Sequence, residues 1–482
     1  MSIATALNNA LSGLTATAKG TETVASNLAN VMTPGYARRE VALSSQAPGG
    51  GMGGVRIDGV ARLVDANLVS GTRLASAAKA ETSVLADFFA EMGAVIGMPG
   101  EESSLGTALS EFQSSLQSAA SRPDDDLRLE QVVDAAMRLA RALNDSSRAV
   151  QDLRTMADAA IAADVAALNE GLETVAMLNR QIARSLAKQD DVSGLEDQRQ
   201  ATIDRISEIV PIQEVGRDHG AVALFTAEGA PLLDGSRPAQ ISYTSVGQMT
   251  PGMVVETAPV GRLVLNGEEL SEGRMQLFAG GTLSANFDIR DEHAPRIQEE
   301  LDALAFDLHE RILSADLSLS SVDTGLFTDA GSRASAGGMT GLAVRIDVNL
   351  AVKPDSGGVW RVRSGLAAPV AGAVGDSSFL TAMCDAMNSI RSADAFSPFI
   401  GNASLQGRFA DLEARVATRR VNAESDATMR SSQWEVVSGA LMADGVDSDA
   451  EMQRLLQYEQ AYAANARVVQ AIEEMMDQIL RI

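Results

Sequence analysis

Hydrophobic and polar positions repeat with one period at the two ends of this chain and with others in its middle. Near the start, the larger or β-branched side chains fall at alternating steps of four and three: Ile3, Leu7, Ala10, Leu14, Thr17, Thr21, Val24, Leu28 and Val31. This spacing predicts one long helix carrying a single stripe. The end of the chain repeats it through Leu455, Tyr458, Tyr462, Asn465, Val469, Ile472, Met476 and Ile479. Ser448 and Glu451 form a capping-box pattern ahead of that helix, just after the turn signal Asp444-Gly445. Both stripes include small or polar members, so each is a weak seam alone. They are expected to pack together and against neighbouring copies, since each buried Val, Leu, Ile or Met contributes about 1.5–3 kcal/mol. Asn465 resembles the buried polar residue that fixes register between paired helices at a cost in stability. Taken singly, either stripe also reads as an ordinary amphipathic core helix.

Between the ends the period changes twice. Residues 61–209 are mostly helical in pattern, and Pro123 with Asp124, Asp125 and Asp126 sits where a helix N-terminus prefers proline and acids. After Pro211 the alternation shortens to two, at 221–225 and at 263–265 before the hairpin signal Asn266-Gly267. A second strand pair is expected at 343–348 and 359–362 as local decoration. Helical pattern returns from about Ile297 and again over 379–441. Gly49 to Gly54, interrupted by Met52, reads as a loop or hinge. The predicted fold is mainly α with a smaller β-rich insertion, in discontinuous layers. Residues 1–36 and 446–482 would form a coiled-coil-like terminal domain. Residues 37–210 and 283–445 would form a helix-rich domain, with 211–282 inserted as a β-rich outer domain.

Composition narrows the function. The 482 residues are 45% hydrophobic and 21% charged, with mean hydropathy +0.01, which suits several globular domains. No apolar run approaches the ~18 residues of a membrane span, so no membrane insertion is expected. Acidic residues outnumber basic ones 64 to 39, for a net charge of −25, which disfavours nucleic acid and anionic membranes as partners. Aromatics at 4% are sparse for a binder that relies on stacking. The single cysteine, Cys384, excludes an intramolecular disulfide and any multi-thiolate metal site. His219, His293 and His309 are isolated, and neither a nucleophile elbow nor a phosphate-binding loop is present. The reading is therefore no catalytic, cofactor or metal site. The N-terminus lacks the basic and apolar regions of a secretory signal, its only charges before Asn30 being Lys19 and Glu22.

Residues 25–39 read Ala-Ser-Asn-Leu-Ala-Asn-Val-Met-Thr-Pro-Gly-Tyr-Ala-Arg-Arg. Asn30 can end the helix, Thr33-Pro34-Gly35 forces a turn, and Tyr36 begins an extended exit with its ring free to pack. The stretch resembles the N-terminal signature of the bacterial flagellar axial proteins, the rod, hook and hook-associated family, through Asn27, Asn30, Thr33, Pro34, Gly35 and Tyr36. The Pro-Gly-Tyr-x-Arg form is most similar to the hook-associated members, since rod and hook members more often carry Thr-Gly-Phe. The closing helix, with Leu455-Leu456-Gln457-Tyr458-Glu459-Gln460-Ala461-Tyr462, resembles the family's C-terminus. Two internal stretches resemble the hook-associated members alone. One is Leu178-Asn179-Arg180-Gln181-Ile182 with Leu195-Glu196-Asp197-Gln198-Arg199. The other runs from Gly280-Gly281-Thr282-Leu283 through Asp288-Ile289-Arg290-Asp291 to Leu301-Asp302-Ala303-Leu304-Ala305. Between Leu313 and Phe327 the chain departs from the family, lacking its usual Asn and His pair.

The resemblance implies a structural adaptor joining hook to filament, assembled as a ring at the hook tip after export by the flagellar type III apparatus. It implies a secreted protein of the extracellular flagellum, with termini that order on assembly. Implied partners are further copies of itself, the hook protein, and a second junction protein or flagellin. A cytosolic export chaperone on the C-terminal helix is also implied. The expected assembly interface is Leu7, Leu14, Val24, Leu28, Leu455, Tyr458, Tyr462, Asn465, Val469, Ile472, Met476 and Ile479. The alternatives are a hook or distal rod protein and, from another class, a secreted enzyme carried on axial-protein ends, for which 211–282 is a short insertion.

Overall fold

The computed structural model describes residues 3–33, 35–45, 53–98, 100–253, 260–393 and 397–480. Pro34 and most of the glycine-rich stretch expected as a hinge lie outside them. Helix α1, Ile3–Ala29, is closed by Asn30, whose Nδ2 donates to the Ser26 carbonyl at 2.9 Å. The chain then forms an antiparallel hairpin of β1, Arg39–Ser45, and β2, Val55–Arg62, with Arg39 opposite Arg62. Four helices follow: α2, Ala66–Ile96; α3, Leu105–Ser121; α4, Asp126–Ala187; and α5, Ser193–Ser207. Side chains of Asp65, Ser104 and Asp125 cap the first three at main-chain N–H groups, so the acidic run before α4 does serve its N-terminus. With 62 residues, α4 is the spine of the molecule, roughly 90 Å long at 1.5 Å per residue.

Strand structure occurs at both stretches with the period-two pattern, 221–225 and 263–265, and further strands lie beside them. β3, Ile212–Gly216, β4, Val222–Thr226, β5, Pro231–Asp234, and β6, Arg237–Pro238, form one antiparallel sheet in chain order. β7, Ile241–Ser242, β8, Val264–Leu265, and β9, Glu268–Glu269, form another, in which Asn266 and Gly267 both take positive φ in the β8–β9 turn. These strands share one core with the second half of α4 (Ile161, Val165, Leu168, Leu172, Val175) and with α5. The larger core takes the first half of α4 with helices from both sides of the strands in sequence. The spine thus holds both cores together.

Beyond the strands come α6, Glu272–Met275, α7, Gly281–Asp288, and α8, Ala294–Ala315. A π-turn, Ile289–His293, joins α7 to α8. Helix therefore resumes earlier than the pattern from Ile297 suggested, with Pro295 just after the π-turn in the first turn of α8. β10, Phe327–Asp329, pairs with β11, Ile346–Val348, which follows the short α9, Leu342–Arg345. The expected strand at 359–362 instead runs into α10, Arg361–Ser364. The expected helix over 379–441 is two helices: α11, Ser378–Asn388, and α12, Leu405–Ala443. They are separated by a hairpin of β12, Arg391–Ser392, and β13, Asn402–Ala403. Arg311 explains the break, since its guanidinium accompanies the α11 exit by donating to the Ala386, Ser389 and Ala403 carbonyls. α13, Ser448–Leu480, ends the described chain.

Buried ion pairs fasten these layers. Glu300 on α8 is wholly buried and takes both Arg419 guanidinium nitrogens from α12, at 2.7 and 2.9 Å. Arg290 in the π-turn reaches Asp158 on α4 and Tyr243 after β7, while Arg154 donates to the Arg290 carbonyl at 2.7 Å. A π-turn disturbs the ordinary carbonyl ladder, and Arg154 takes up one of its carbonyls here.

Candidate assembly interface

The first and last helices lie antiparallel, and their contacts recur every seven residues on both. Gly13 faces Asn465, Gly20 faces the Tyr458 ring, and Asn27 meets Glu451. A Cβ on Gly13 would stand 2.7 Å from Asn465 Nδ2, and one on Gly20 would stand 2.5 Å from Tyr458 Cζ. The glycines therefore let the helices approach more closely than any side chain would allow. Burial, then the charges of Glu40 and Glu451, holds the Tyr458 phenol above its ordinary pKa.

The third rung carries the signature residues. Asn27 is fully buried, and its amide is saturated: Nδ2 donates to Glu451 Oε2 at 3.0 Å and to the Arg39 carbonyl at 2.9 Å. Its Oδ1 accepts from Tyr36 Oη at 2.9 Å and from the Arg39 N–H at 3.0 Å. Glu451 Oε1 accepts from Arg38 Nε at 2.9 Å and from Arg454 at 3.2 Å. The turn after α1 is held by the Thr33 and Tyr36 N–H groups, which donate to the Asn30 and Thr33 carbonyls. Gly35 has φ +77°, which its neighbours in the signature could not adopt without strain. Arg39 also lies over the Tyr36 ring, 4.8 Å from its centroid. The signature is thus a polar latch that closes the exit from α1 onto the start of α13.

The internal pair of motifs makes a second polar knot. Arg199 donates to Asn179 Oδ1 at 2.9 Å and to the Gly220 carbonyl at 2.7 Å, while Asn179 bonds both main-chain groups of Val222. Asp197 turns the other way and takes Arg39 at 2.6 Å and Arg62 at 2.7 Å.

The expected interface residues divide into two sets. Val24 and Ile472 are buried, and Tyr458 and Asn465 are half-buried on the α1–α13 contact. Leu7, Leu14, Leu28, Leu455 and Val469 are half-buried, while Tyr462, Met476 and Ile479 are 49%, 44% and 59% exposed. The seam on α1 runs through Ala10, Gly13, Thr17, Gly20, Val24 and Asn27, so the leucine row lies beside it and not in it. Small residues win because close approach gains contact along the whole helix. Glu451 also departs from its expected role. Asp447 Oδ1 caps α13 at the Asp449 and Ala450 N–H groups, which leaves the Glu451 carboxylate for the latch. Gly13, Gly20 and Arg62 escaped sequence reasoning, and Arg38, Arg39 and Asp197 stood inside quoted motifs without a role. The seven-residue spacing of the two glycines was the available signal.

Of the residues weighed for chemistry, His219 is exposed and the others are packed into structure. Cys384 is buried, with its thiol pKa raised by burial and then by Asp385. His309 is buried with Nδ1 on the Phe327 carbonyl, and His293 packs against Phe88 and Phe89. Among the described residues no group of three or more His, Cys, Asp or Glu side chains is placed to hold a metal ion. Nor, among them, is any helix long and apolar enough to cross a membrane.

Residues 89–313 match the family model for the flagellar hook-associated protein FlgK helical domain. Residues 7–36 match the flagella basal body rod protein model, and 437–482 match the flagellar basal body rod FlgEFG protein C-terminal model. Similar curated proteins include flagellar hook-associated protein 1 of Escherichia coli strain K12, 28% identical over 244 residues, and that of Salmonella typhimurium strain LT2, 29% identical over 244 residues. Each alignment covers 49% of this chain and 44% of the relative. The chain thus spans less than half the length of these two. Flagellar hook-associated protein 1 of Bacillus subtilis strain 168 is 23% identical over 518 aligned residues, covering 98% of this chain and 97% of that protein. Among solved structures, the flagellar hook junction protein FlgK from Burkholderia pseudomallei aligns with a TM-score of 0.45 and 20% identity, over 55% of this chain and 47% of that one.

Proposed function

We propose that this chain, which belongs to the flagellar hook-associated protein 1 family, is a structural adaptor joining hook to filament. One observation carries the reading. The two ends, each similar to a rod-protein terminus, fold onto each other through the signature latch, and the stretch between them matches the hook-associated helical domain. The match of the middle to the hook-associated helical domain weighs against a rod or hook protein. In this reading 1–36 and 446–482 form one coiled-coil-like unit. Its open row, Leu7, Leu14, Leu28, Leu455, Tyr462, Val469, Met476 and Ile479, meets neighbouring copies in a ring, with head-to-tail contacts around the axis. Residues 37–210 and 283–445 form the helix-rich body outside the ring, and 211–282 lie outermost.

The reading includes export through the flagellar type III apparatus and a cytosolic chaperone covering the apolar row of α13 until export. Once outside, the hook protein lies on one side and a second junction protein or flagellin on the other. No catalytic role is assigned, since the relatives bear the names of flagellar structural proteins. The test is an in-frame deletion in the source bacterium, with electron microscopy of flagella and an assay for flagellin in the medium. Hooks without filaments, and flagellin lost to the medium, are expected. Absent hooks would move the protein down to the rod or hook, and intact filaments would overturn the adaptor reading.

A further inference from the structure

The base of the β1–β2 hairpin is gripped from two sides by different parts of the molecule. On one side Asn27 bonds both main-chain groups of Arg39, as a neighbouring strand would, and so joins the hairpin to α1. On the other side Asp197 of α5 receives the Arg39 guanidinium on Oδ2 at 2.6 Å and Arg62 Nε on Oδ1 at 2.7 Å. Arg39 and Arg62 are direct register partners across the hairpin. Two guanidiniums so placed repel each other, and the Asp197 carboxylate lies between them. The three side chains are 14–18% exposed, so water screens this triad far less than a surface pair.

Farther along α5, Asp204 takes Arg73 Nε at 2.7 Å and Glu208 takes Ser76 Oγ at 3.1 Å, both from α2. These contacts hold α5 to the body whatever happens at Asp197. α1 and α13 reach the rest of the described chain through two connections, the hairpin and residues 444–447, which join α12 to α13; the link from β2 to α2 is also short, with Leu63 and Val64 41% and 38% exposed. The hairpin can thus leave α5 without leaving α1.

We propose that Asp197 is the lock of a charge-controlled joint. While its carboxylate bridges Arg39 and Arg62, the terminal helix pair is held at one angle to the helical body. When that charge is removed or screened, the hairpin base parts from α5 and the terminal pair swings about residues 63–65 and 444–447. One chain could then meet two neighbours of different inclination. That consequence rests on the adaptor reading, and the joint itself does not.

The experiment uses the purified full chain in a Cys384→Ala background, with spin labels at Ala18→Cys on α1 and Ala167→Cys on α4, both exposed positions. Pulsed dipolar spectroscopy reads the distance distribution between them. A narrow distribution is expected at low salt; Asp197→Asn should widen it about twofold, and roughly 1 M salt, where the screening length falls to about 3 Å, should widen it by a smaller factor because the triad is mostly buried. Asp197→Glu should restore most of the narrowness. Adding Arg62→Gln to Asp197→Asn should narrow the distribution again by removing the repelling pair, which a merely structural defect would not do. If Asp197→Asn does not fold, the salt titration of the parent tests the same joint. An unchanged width in Asp197→Asn and at high salt, a broad distribution in the parent at low salt, or no narrowing in the double variant would each overturn the proposal.

Discussion

Replacing Asn27 with alanine removes four hydrogen bonds from a fully buried point, and the structure shows what each loss leaves behind. The Arg39 N–H and carbonyl lose their shared partner, Tyr36 keeps only the longer 3.3 Å contact with Ser26, and Glu451 Oε2 loses its donor. At about 1 kcal/mol for each lost bond, offset in part by water reaching the strand end, the latch weakens by about 3 kcal/mol. Only the bond to Glu451 spans α1 and α13, so opening of α13 away from α1 becomes roughly tenfold more frequent, since each 1.4 kcal/mol is a factor of ten.

Native-state hydrogen exchange of the full chain, read by mass spectrometry, measures that opening at the α13 amides, with α4 as an internal control whose protection should not change. Glu451→Gln sharpens the test. Its amide must aim NH₂ either at the two guanidiniums on Oε1 or at Asn27 Nδ2, also a donor. Asn27 cannot flip to help, because its Oδ1 already accepts from Tyr36 and Arg39. The near-isosteric change should therefore cost most of what Asn27→Ala costs. Acceleration below about threefold at α13 in both variants would refute the latch as the closure of the terminal pair.

Gly20→Ala gives a prediction of sign: helix propensity alone favours alanine by up to about 1 kcal/mol, but a Cβ 2.5 Å from Tyr458 Cζ should lose about 1–3 kcal/mol by prising the helices apart. Faster exchange at α13 is expected, and slower exchange would show that the ring moves aside freely. Asp288 is raised to about 6 by burial, then by Glu81, Glu292 and Asp291. Its contribution to stability is complete below the ordinary carboxylate range and is lost as pH rises through about 6. Asp288→Asn should therefore stabilise the protein at pH 7 by about 1–2 kcal/mol, discounted for partial exposure, and flatten the slope of urea stability between about pH 4 and 6; an unchanged slope would count against the shift. Glu300→Ala leaves Arg419 without its buried bidentate partner and should cost about 2–4 kcal/mol in urea unfolding. A loss within about 0.5 kcal/mol would mean that water replaces the carboxylate. Leu28→Asp and Val469→Asp, on half-buried positions beside the terminal seam, should leave the chain soluble and folded yet stop filament attachment; unchanged attachment in both would remove the open row from the interface.

Periodicity disclosed the long terminal helices, the strands after Pro211 and the Asn266-Gly267 turn, because each depends on residues near one another in sequence. On α1 the predicted stripe supplied Ala10, Thr17 and Val24 of the seam but not Gly13, Gly20 or Asn27. Hydrophobic spacing gives weight to Leu7, Leu14 and Leu28, yet the helices meet along Gly13, Gly20 and Asn27, where small size and a saturated amide decide the contact. The hidden variable was distance between axes, which hydrophobicity does not encode.

The polar contacts were hidden for a different reason. Glu451 stands three residues after Ser448, a local pattern that suits a capping box, but Asp447 supplies the cap and Glu451 pairs with residues more than four hundred positions earlier. Asp197 likewise sits inside a motif whose neighbour Arg199 turns inward to Asn179, so nothing in its local sequence marks it as the partner of Arg39 and Arg62. Those two arginines become a repelling pair only in the hairpin register, and the turn that connects the strands has no sequence signal fixing that register. A buried charge needs a partner, but that requirement says only that a partner exists. In this chain two such requirements, at Glu451 and at Asp197, are both met at the exit from α1 by consecutive arginines, Arg38 and Arg39. The short signature segment is thus where the last helix and the helical body are both tied to the first helix, so a change there should disturb assembly and joint together, while a change elsewhere on α5 or α13 should disturb only one.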